Sequence, residues 1–341
     1  MKILVAGPFL ENWSLSSYMV ESFKRLGHKV FHFDYRHNLS TFIKYTPVLR
    51  SPYTIAYFRR FDPTIDYNFV KVVKKFSPDF ILVIKGESIS AKTVVYIRKK
   101  MKVPIVNWFP DDPQFFSFIS RYLYSAYDYY FSSSFMTVEK LKKKGFKRVE
   151  YIAFACDPEV HKFVNLTKEE KIKYNADINF MGTFYFERLK YIKTLKNYDL
   201  KLWGKWWPLF VKLYGLQEKY QGRGIYYKDF VKAFAAAKIV LNIHLPAMKY
   251  GGMKSNLRNF EAAGSKSFIL CDNTVGIEDL FKPGKEIEIY NNKYELHEKI
   301  NYYLKNPKKR QEIAENAQKR CYKEHTYKHR AKQILEILKH I

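Results

Sequence analysis

Short apolar runs that stop at a glycine or an acid, each followed by a helical stretch, recur along this chain in two successive series. No other feature limits its fold so strongly. Lys2–Ala6 ends in Gly7-Pro8, a helical stretch runs from about Ser16 to Leu26 and closes at Gly27, and Lys29–Phe33 ends in Asp34. This is strand, glycine turn, helix, strand, the opening of a parallel α/β domain, in which each helix carries the chain back for the next parallel strand. The pattern continues through a helix over Phe69–Phe76, a strand at Asp79–Ile84, a helix at Ala91–Lys100 and a strand at Pro104–Trp108. Tyr129–Ser132 and Glu150–Ile152 read as further strands, with a helix over Thr137–Lys143 between them.

The stretch from Asp157 to Ala176 is polar, lysine-rich and poorly periodic, and reads as an interdomain linker. The alternation then restarts. Strands are expected at Asp177–Met181, Leu200–Trp203, Ile239–Ile243 and Phe268–Cys271, and helices at Arg188–Leu195, Tyr227–Ala236, Asn256–Ala263, Tyr294–Leu304 and Pro307–Lys323. A last helix covers Tyr327 to Ile341, with Ile334, Leu335, Ile337 and Leu338 as an apolar face that needs burial. The division is therefore 1–156 for the first domain, 157–176 for the linker, 177–325 for the second domain and 326–341 for a terminal helix. The fold class is α/β: two Rossmann-like domains facing a cleft, with ligands beyond the strand C-termini.

The charge narrows the partners. Among 341 residues, 60 Lys+Arg stand against 33 Asp+Glu, a net +27, which suits an anionic partner: nucleic acid, a membrane surface or a phosphorylated ligand. With 47% hydrophobic residues the chain can build real cores. Cys156, Cys271 and Cys321 are odd in number and far apart, neither a disulfide framework nor a zinc pattern, and fit a reducing cytoplasm. The segment Met1 to Leu10 turns polar too quickly for a signal peptide, and no apolar run approaches the ~20 residues of a membrane span. His325 and His329 are four apart in a lysine-rich stretch, where solvent exposure is expected rather than metal binding.

Three constellations carry chemistry. In Asn256-Leu257-Arg258-Asn259-Phe260-Glu261, after the turn Gly251-Gly252, glycines precede a helix whose free N–H groups form a phosphate seat. Arg258 and Glu261 share a helical face; the Arg can clamp a diphosphate and the carboxylate can accept both hydroxyls of a ribose, while an ordinary surface ion pair is the plain alternative. In Asn179-Phe180-Met181-Gly182-Thr183 a strand ends in glycine, which admits a ligand close to the backbone, and Arg188 follows near the next helix start. Gly7 and Gly204 end strands in the same way. In Asn107-Trp108-Phe109-Pro110-Asp111-Asp112-Pro113 two acids sit between prolines at a strand end, where they could supply a general base, bind a cation or cap a turn. Neither G-x-G-x-x-G nor G-x-x-x-x-G-K-[ST] occurs.

At N-x-R-x-F-E (256–261) with E-H-T-Y-x-x-R (324–330), and in the stretches VNWFPDDP and INFMGTFYFERLKYIKTL, the chain from about Ser77 onward resembles the CgeB-like (spore maturation protein) glycosyltransferases. The resemblance implies a GT-B fold, a C-terminal helix that crosses back to the N-terminal domain, and a metal-independent transfer of a sugar from a nucleotide diphosphate sugar, with no other cofactor. UDP is favoured as the nucleotide. Carried over by position, Gly182, Thr183 and Arg188 approach the diphosphate, Asn256 and Arg258 contact phosphate or sugar, Glu261 holds the ribose, and the turn at Ile225–Tyr227 borders the base. Asp112, ahead of Asp111, is the expected acid of the first domain. One departure stands out: related retaining enzymes carry a second glutamate eight residues before the first, and here that position is Met253.

The acceptor stays open as a glycan, a protein or a lipid-linked molecule. A cytoplasmic place is expected, with the anionic inner face of a membrane as a peripheral contact. The readings set beside a glycosyltransferase are a nucleotide-sugar-binding protein without catalysis, and a basic nucleic-acid-binding protein. The second is disfavoured because the lysines are spread over many helices and no nucleic-acid-binding signature occurs.

Overall fold

The computed structural model describes residues 1–9, 14–36, 63–222, 224–225 and 228–339. The chain divides into two compact units, Met1–Ile152 with Tyr327–Ile341, and Ala153–Thr326. Each is built on one six-stranded, wholly parallel sheet.

The first sheet holds β1 (Lys2–Gly7), β2 (Lys29–Asp34), β3 (Phe80–Ile84), β4 (Ile105–Phe109), β5 (Tyr129–Ser132) and β6 (Val149–Tyr151), in the order β2-β1-β3-β4-β5-β6. β3 and β4 are buried at every residue, as expected where helices cover both faces. Helix α1 (Leu15–Arg25) starts at Ser14, whose Oγ accepts the Ser17 N–H at 3.1 Å. Phe69 and Val73 of α2 (Pro63–Phe76) and Val94 of α3 (Ala91–Tyr96) pack with Phe33, Ile81 and Val83 in the main core of this unit. Helix α4 (Phe135–Lys143) closes a second cluster with Tyr130 and Val149.

The terminal helix, Tyr327–Leu338, belongs to this first unit. Tyr327 stacks on Tyr18 of α1 with ring centroids 4.9 Å apart, and Gln333 Nε2 donates to the Tyr151 carbonyl at 3.3 Å. Of the four apolar positions expected to face the protein, Ile334 is fully buried and Leu335, Ile337 and Leu338 are partly covered. Ile334→Ala is therefore expected to cost about 2–5 kcal/mol, read as a lower urea midpoint for the first unit.

The second sheet holds β7 (Ala176–Met181), β8 (Leu200–Trp203), β9 (Tyr220–Gly222), β10 (Ala237–Asn242), β11 (Ile269–Asp272) and β12 (Glu288–Tyr290), in the order β12-β11-β10-β7-β8-β9. The stretch read as a linker is part of this unit, and Lys168–Tyr174 is a helix. Its start is a capping box: Thr167 Oγ1 accepts the Glu170 N–H, and the Glu170 carboxylate accepts the Thr167 N–H. One further correction concerns burial. His325, expected in solvent, is buried against Phe260 and Phe281, with Nε2 3.0 Å from the Leu280 carbonyl oxygen. Cys156 and Cys321, 165 residues apart, are free buried thiols whose Sγ atoms lie 3.3 Å from each other.

Candidate functional site

In a doubly wound sheet the crevice for a ligand lies where neighbouring strands send their connections to opposite sides. In the second unit that point is between β7 and β10. β7 runs out into Gly182-Thr183 and β10 into Ile243-His244, so their loops meet at the C-terminal edge of the sheet. Arg188, in the first turns of the helix Phe186–Ile192, ties them together: Nε donates to the Ile243 carbonyl at 3.0 Å and Nη1 to the Thr183 carbonyl at 2.8 Å. Burial, and then the like charge of Arg258, push the Arg188 guanidinium down to about 10.

The glycines here are spacers between protein groups. A Cβ on Gly182 would come within 2.9 Å of Arg188 Nη1, and one on Gly204 within 1.9 Å of the Gly182 carbonyl oxygen. Trp207 Nε1 donates to that same oxygen at 2.8 Å. Gly7, in the first unit, is likewise filled from the protein side: a Cβ would meet Ser16 Oγ at 2.4 Å.

The helix Leu257–Gly264 brings the expected trio together. Asn256 is its N-cap, with Oδ1 accepting the Arg258 N–H at 3.0 Å. The amide of Asn242, at the end of β10, donates to Asn256 Oδ1 at 2.9 Å and to Asn259 Oδ1 at 2.8 Å. His244 Nε2 accepts the Asn256 N–H at 3.2 Å, which leaves the proton on Nδ1 to donate to Asp272 Oδ1 at 2.8 Å. Burial works to raise the Asp272 carboxyl, but His244 and Lys249 outweigh it and hold it below its ordinary value. This carboxylate, histidine and asparagine chain fixes the start of the helix from below. It went unnoticed in the sequence because its members come from β10, β11 and a helix cap; an Asn at the strand end with Asn at positions i and i+3 of the next helix was the available signal.

Arg258 and Glu261 are not an ordinary surface pair. Glu261 is buried, and Arg258 Nη1 is 3.6 Å from Glu261 Oε2. The guanidinium lies over the Phe230 ring at 4.2 Å, and its buried Nη1 makes no hydrogen bond among the described residues. Burial pushes the Glu261 carboxyl up to about 7, with Arg258 opposing. On its other side His161 Nε2 stands 3.8 Å from Glu261 Oε1. His161 Nδ1 accepts the Asp157 N–H at 2.9 Å, so Nε2 carries the proton in the neutral ring, and burial holds this histidine down at about 4. The site thus holds a preorganised cation, a carboxyl poised near neutrality and a neutral N–H donor. Tyr227 lies outside the described residues.

In the first unit the acidic loop departs from expectation. Asp112 is fully buried and accepts three hydrogen bonds, from Ser120 Oγ and Tyr130 OH at 2.6 Å each and from Ser132 Oγ at 2.9 Å. Its carboxylate has no face open to a reactant, so the preference for Asp112 over Asp111 as a ligand-facing acid is reversed. Asp111 is the partly exposed one, with Oδ2 2.5 Å from Lys85 Nζ. Near it, at the end of β3, Tyr35 OH donates to Glu87 Oε2 at 2.6 Å and Arg36 Nη2 lies 3.7 Å from Glu87 Oε1. Among the described residues no group of three or more His, Cys, Asp or Glu gathers as a metal site.

A model of the family described as glycosyl transferase-like matches residues 186–336. No curated protein sequence matches the chain. Solved structures match it over nearly its whole length. Sucrose-phosphate synthase from Thermosynechococcus elongatus aligns with a TM-score of 0.71 at 12% identity, covering 99% of this chain and 98% of that one. Anabaena HepE in complex with UDP-glucose gives 0.69 at 14%, covering 100% of both chains. A glycosyltransferase from Rickettsia africae gives 0.65 at 15%, covering 99% and 98%. At such identities the likeness is one of fold, and that fold is GT-B-like.

Proposed function

We propose that the protein is a glycosyltransferase of the CgeB-like kind that takes a sugar from a nucleoside diphosphate sugar, with UDP as the preferred nucleotide. The single observation that carries this is the pair of a partly exposed Arg258 and a buried Glu261 at the switch point of the second sheet, beside a helix start. A guanidinium with an unused buried N–H suits the leaving diphosphate, and its positive charge together with the helix N-terminus would do the work that a divalent cation does elsewhere. Arg188 acts by position, holding the loops after β7 and β10 in register. Glu261 accepts the ribose hydroxyls, and His161 keeps its carboxylate in place. HepE, whose fold this chain shares, was solved with UDP-glucose, which favours the choice of nucleotide. On the acceptor side the partly exposed Asp111 takes the role of proton acceptor.

A thermal-shift screen of nucleoside diphosphates tests the binding half. A ligand at a hundred times its Kd adds about 2.7 kcal/mol, so UDP is expected to raise the melting temperature above ADP and GDP. If no nucleotide diphosphate shifts the melt, the reading fails. If UDP binds but UDP-sugars are neither transferred nor hydrolysed, the chain is a binding protein, the alternative that the Met253 substitution raises.

Glu261 gives a pH test with a definite sign. Its folded pKa of about 7 lies above the ordinary carboxylate value, so the folded state loses stability as pH rises from ordinary carboxylate titration through neutrality. Ribose hydroxyls donating to the ionised form oppose that loss, so UDP binding strengthens as pH rises through about 7. Glu261→Gln is expected to flatten this dependence relative to the wild type and to weaken UDP about ten- to a hundredfold at pH 8, the worth of a charge-assisted bond. Calorimetric titration of both proteins across the interval checks it; parallel profiles would return Glu261 to a structural role.

A further inference from the structure

The second unit carries an exposed apolar surface on the segment that follows β8. After β8 the chain runs Lys205-Trp206-Trp207-Pro208-Leu209-Phe210-Val211-Lys212-Leu213-Tyr214, with a short helix over Pro208–Leu213. Trp207 and Val211 are buried and anchor the segment. Beneath it Phe210 stacks on Phe184 at 3.8 Å between ring centroids, and Phe184 meets Trp207 edge-on at 5.1 Å. The outer layer faces water: Trp206 is 65% exposed, Leu209 73%, Leu213 70% and Phe186, whose ring lies 5.4 Å from Phe210, 62%. Leu209 and Leu213 are one helical turn apart and share a face. Trp206 has a φ of 69°, in the left-handed region that a bulky aromatic adopts only under constraint, so its indole is held outward at a conformational cost. Isolated exposed apolar side chains are ordinary, but four large ones on a rigid aromatic base are not.

The charge around this patch says what covers it. Lys205 and Lys212 flank Trp206 and Leu213, Lys190 lies one turn from Phe186, and Lys193 Nζ sits 5.5 Å over the Tyr214 ring. Against these four cations the same segments carry Glu187 and, further on, Glu218. Trp and Tyr rings, leucines and a collar of lysines that can extend their heads to phosphate are the composition of an interfacial membrane contact. We propose that this face docks the protein on an anionic bilayer, with Trp206, Leu209, Leu213 and Phe186 entering the headgroup region and the lysines meeting lipid phosphate. The docking does not rest on the reading of the nucleotide site, and its failure would leave that reading intact.

The experiment is co-sedimentation with vesicles of phosphatidylcholine containing phosphatidylglycerol, beside vesicles of phosphatidylcholine alone, using the full chain. Wild type is expected to bind the anionic vesicles and to show Trp206 fluorescence quenched by brominated lipid, a signal that Trp206→Phe removes. The triple variant Trp206→Ser, Leu209→Ser, Leu213→Ser is expected to bind at least about tenfold more weakly, with melting and UDP binding unchanged. Lys205→Glu with Lys212→Glu is expected to abolish the preference for anionic lipid. The proposal is overturned if the triple variant binds as tightly as wild type, since attachment would then come from the diffuse +27 charge. It is equally overturned if wild type ignores the vesicles, or if wild type is a dimer in lipid-free solution that the triple variant converts to monomer, since a second copy would then cover the patch.

Discussion

Asp112→Ala is expected to destabilise the first unit by about 3–5 kcal/mol, more than any surface change in the same loop. The carboxylate is the common acceptor for Ser120, Tyr130 and Ser132, and all three hydroxyls are buried. Ser132 Oγ in turn accepts the Ser134 N–H at 3.2 Å, and Ser134 caps the helix Phe135–Lys143. Alanine would leave buried donors without an acceptor at Ser120, where a short 3-10 turn begins, and at Tyr130 and Ser132 on β5. Burial, partly offset by the three donors, lifts the Asp112 carboxyl to about 6. A folded pKa above the unfolded one means that ionisation works against folding, so this group's contribution to stability falls as pH rises through about 4 to 6. Asp112→Asn keeps one acceptor oxygen and cannot ionise. It is expected to lose less than alanine and to remove that part of the pH dependence. Urea unfolding of the three proteins at pH 4.5 and pH 7 measures both effects, and an alanine variant with the wild-type midpoint would show that the network ties nothing. Nucleotide affinity should be the same in all three.

The same loop shows why the sequence was legible in one respect and opaque in another. That Asp111 and Asp112 follow a strand is readable from Ile105–Phe109, because apolar runs ending at prolines have few other interpretations. Which of the two faces inward is not. Along an extended chain adjacent side chains point to opposite sides, and a one-residue difference in register exchanges them. Here the serines and Tyr130 that receive Asp112 lie 8 to 20 residues further on. The central strands were clear because β3 is apolar throughout and β4 is apolar but for Asn107. The three-residue edge strands β9 and β12 lacked enough residues for a period to show. The helix Lys168–Tyr174 was hidden by its lysines, although Thr167 and Glu170 had the capping-box spacing. In the second unit, Arg258 and Glu261 were found because helical spacing of three makes them neighbours. His161 was missed because it reaches Glu261 only through tertiary folding, across a hundred residues of chain.

Arg258→Ala is expected to weaken UDP binding by on the order of 3 kcal/mol, roughly a hundredfold. The argument rests on preorganisation. The guanidinium is held flat against Phe230, with Phe234 5.9 Å away, so its donors are aimed before a ligand arrives and little rotamer entropy remains to be lost. Among the described residues its Nη1 makes no hydrogen bond, and its one ionic neighbour, Glu261, is at 3.6 Å, beyond hydrogen-bond distance. Arg258→Lys keeps the charge without the planar fork and is expected to fall between alanine and wild type. Alanine also leaves Glu261 buried without its cation, which would push that carboxyl above its present value and could weaken the fold at high pH. The double variant Arg258→Met, Glu261→Gln removes both charges and separates the two effects. If the affinity loss comes from the missing diphosphate contact, the double variant, which also lacks the Glu261 carboxylate for the ribose, binds UDP more weakly than either Arg258→Ala or Glu261→Gln while melting near wild type. If it comes from an orphaned carboxylate, the double variant recovers the melting temperature and binds UDP only as weakly as Glu261→Gln alone. Loss of the like charge should also relieve Arg188, whose guanidinium Arg258 depresses, so the loops that Arg188 joins are expected to stay in place. Calorimetric titration with UDP and with uridine distinguishes the contact further: Arg258→Ala should cost UDP its hundredfold and leave the affinity for uridine, which lacks the diphosphate, nearly unchanged.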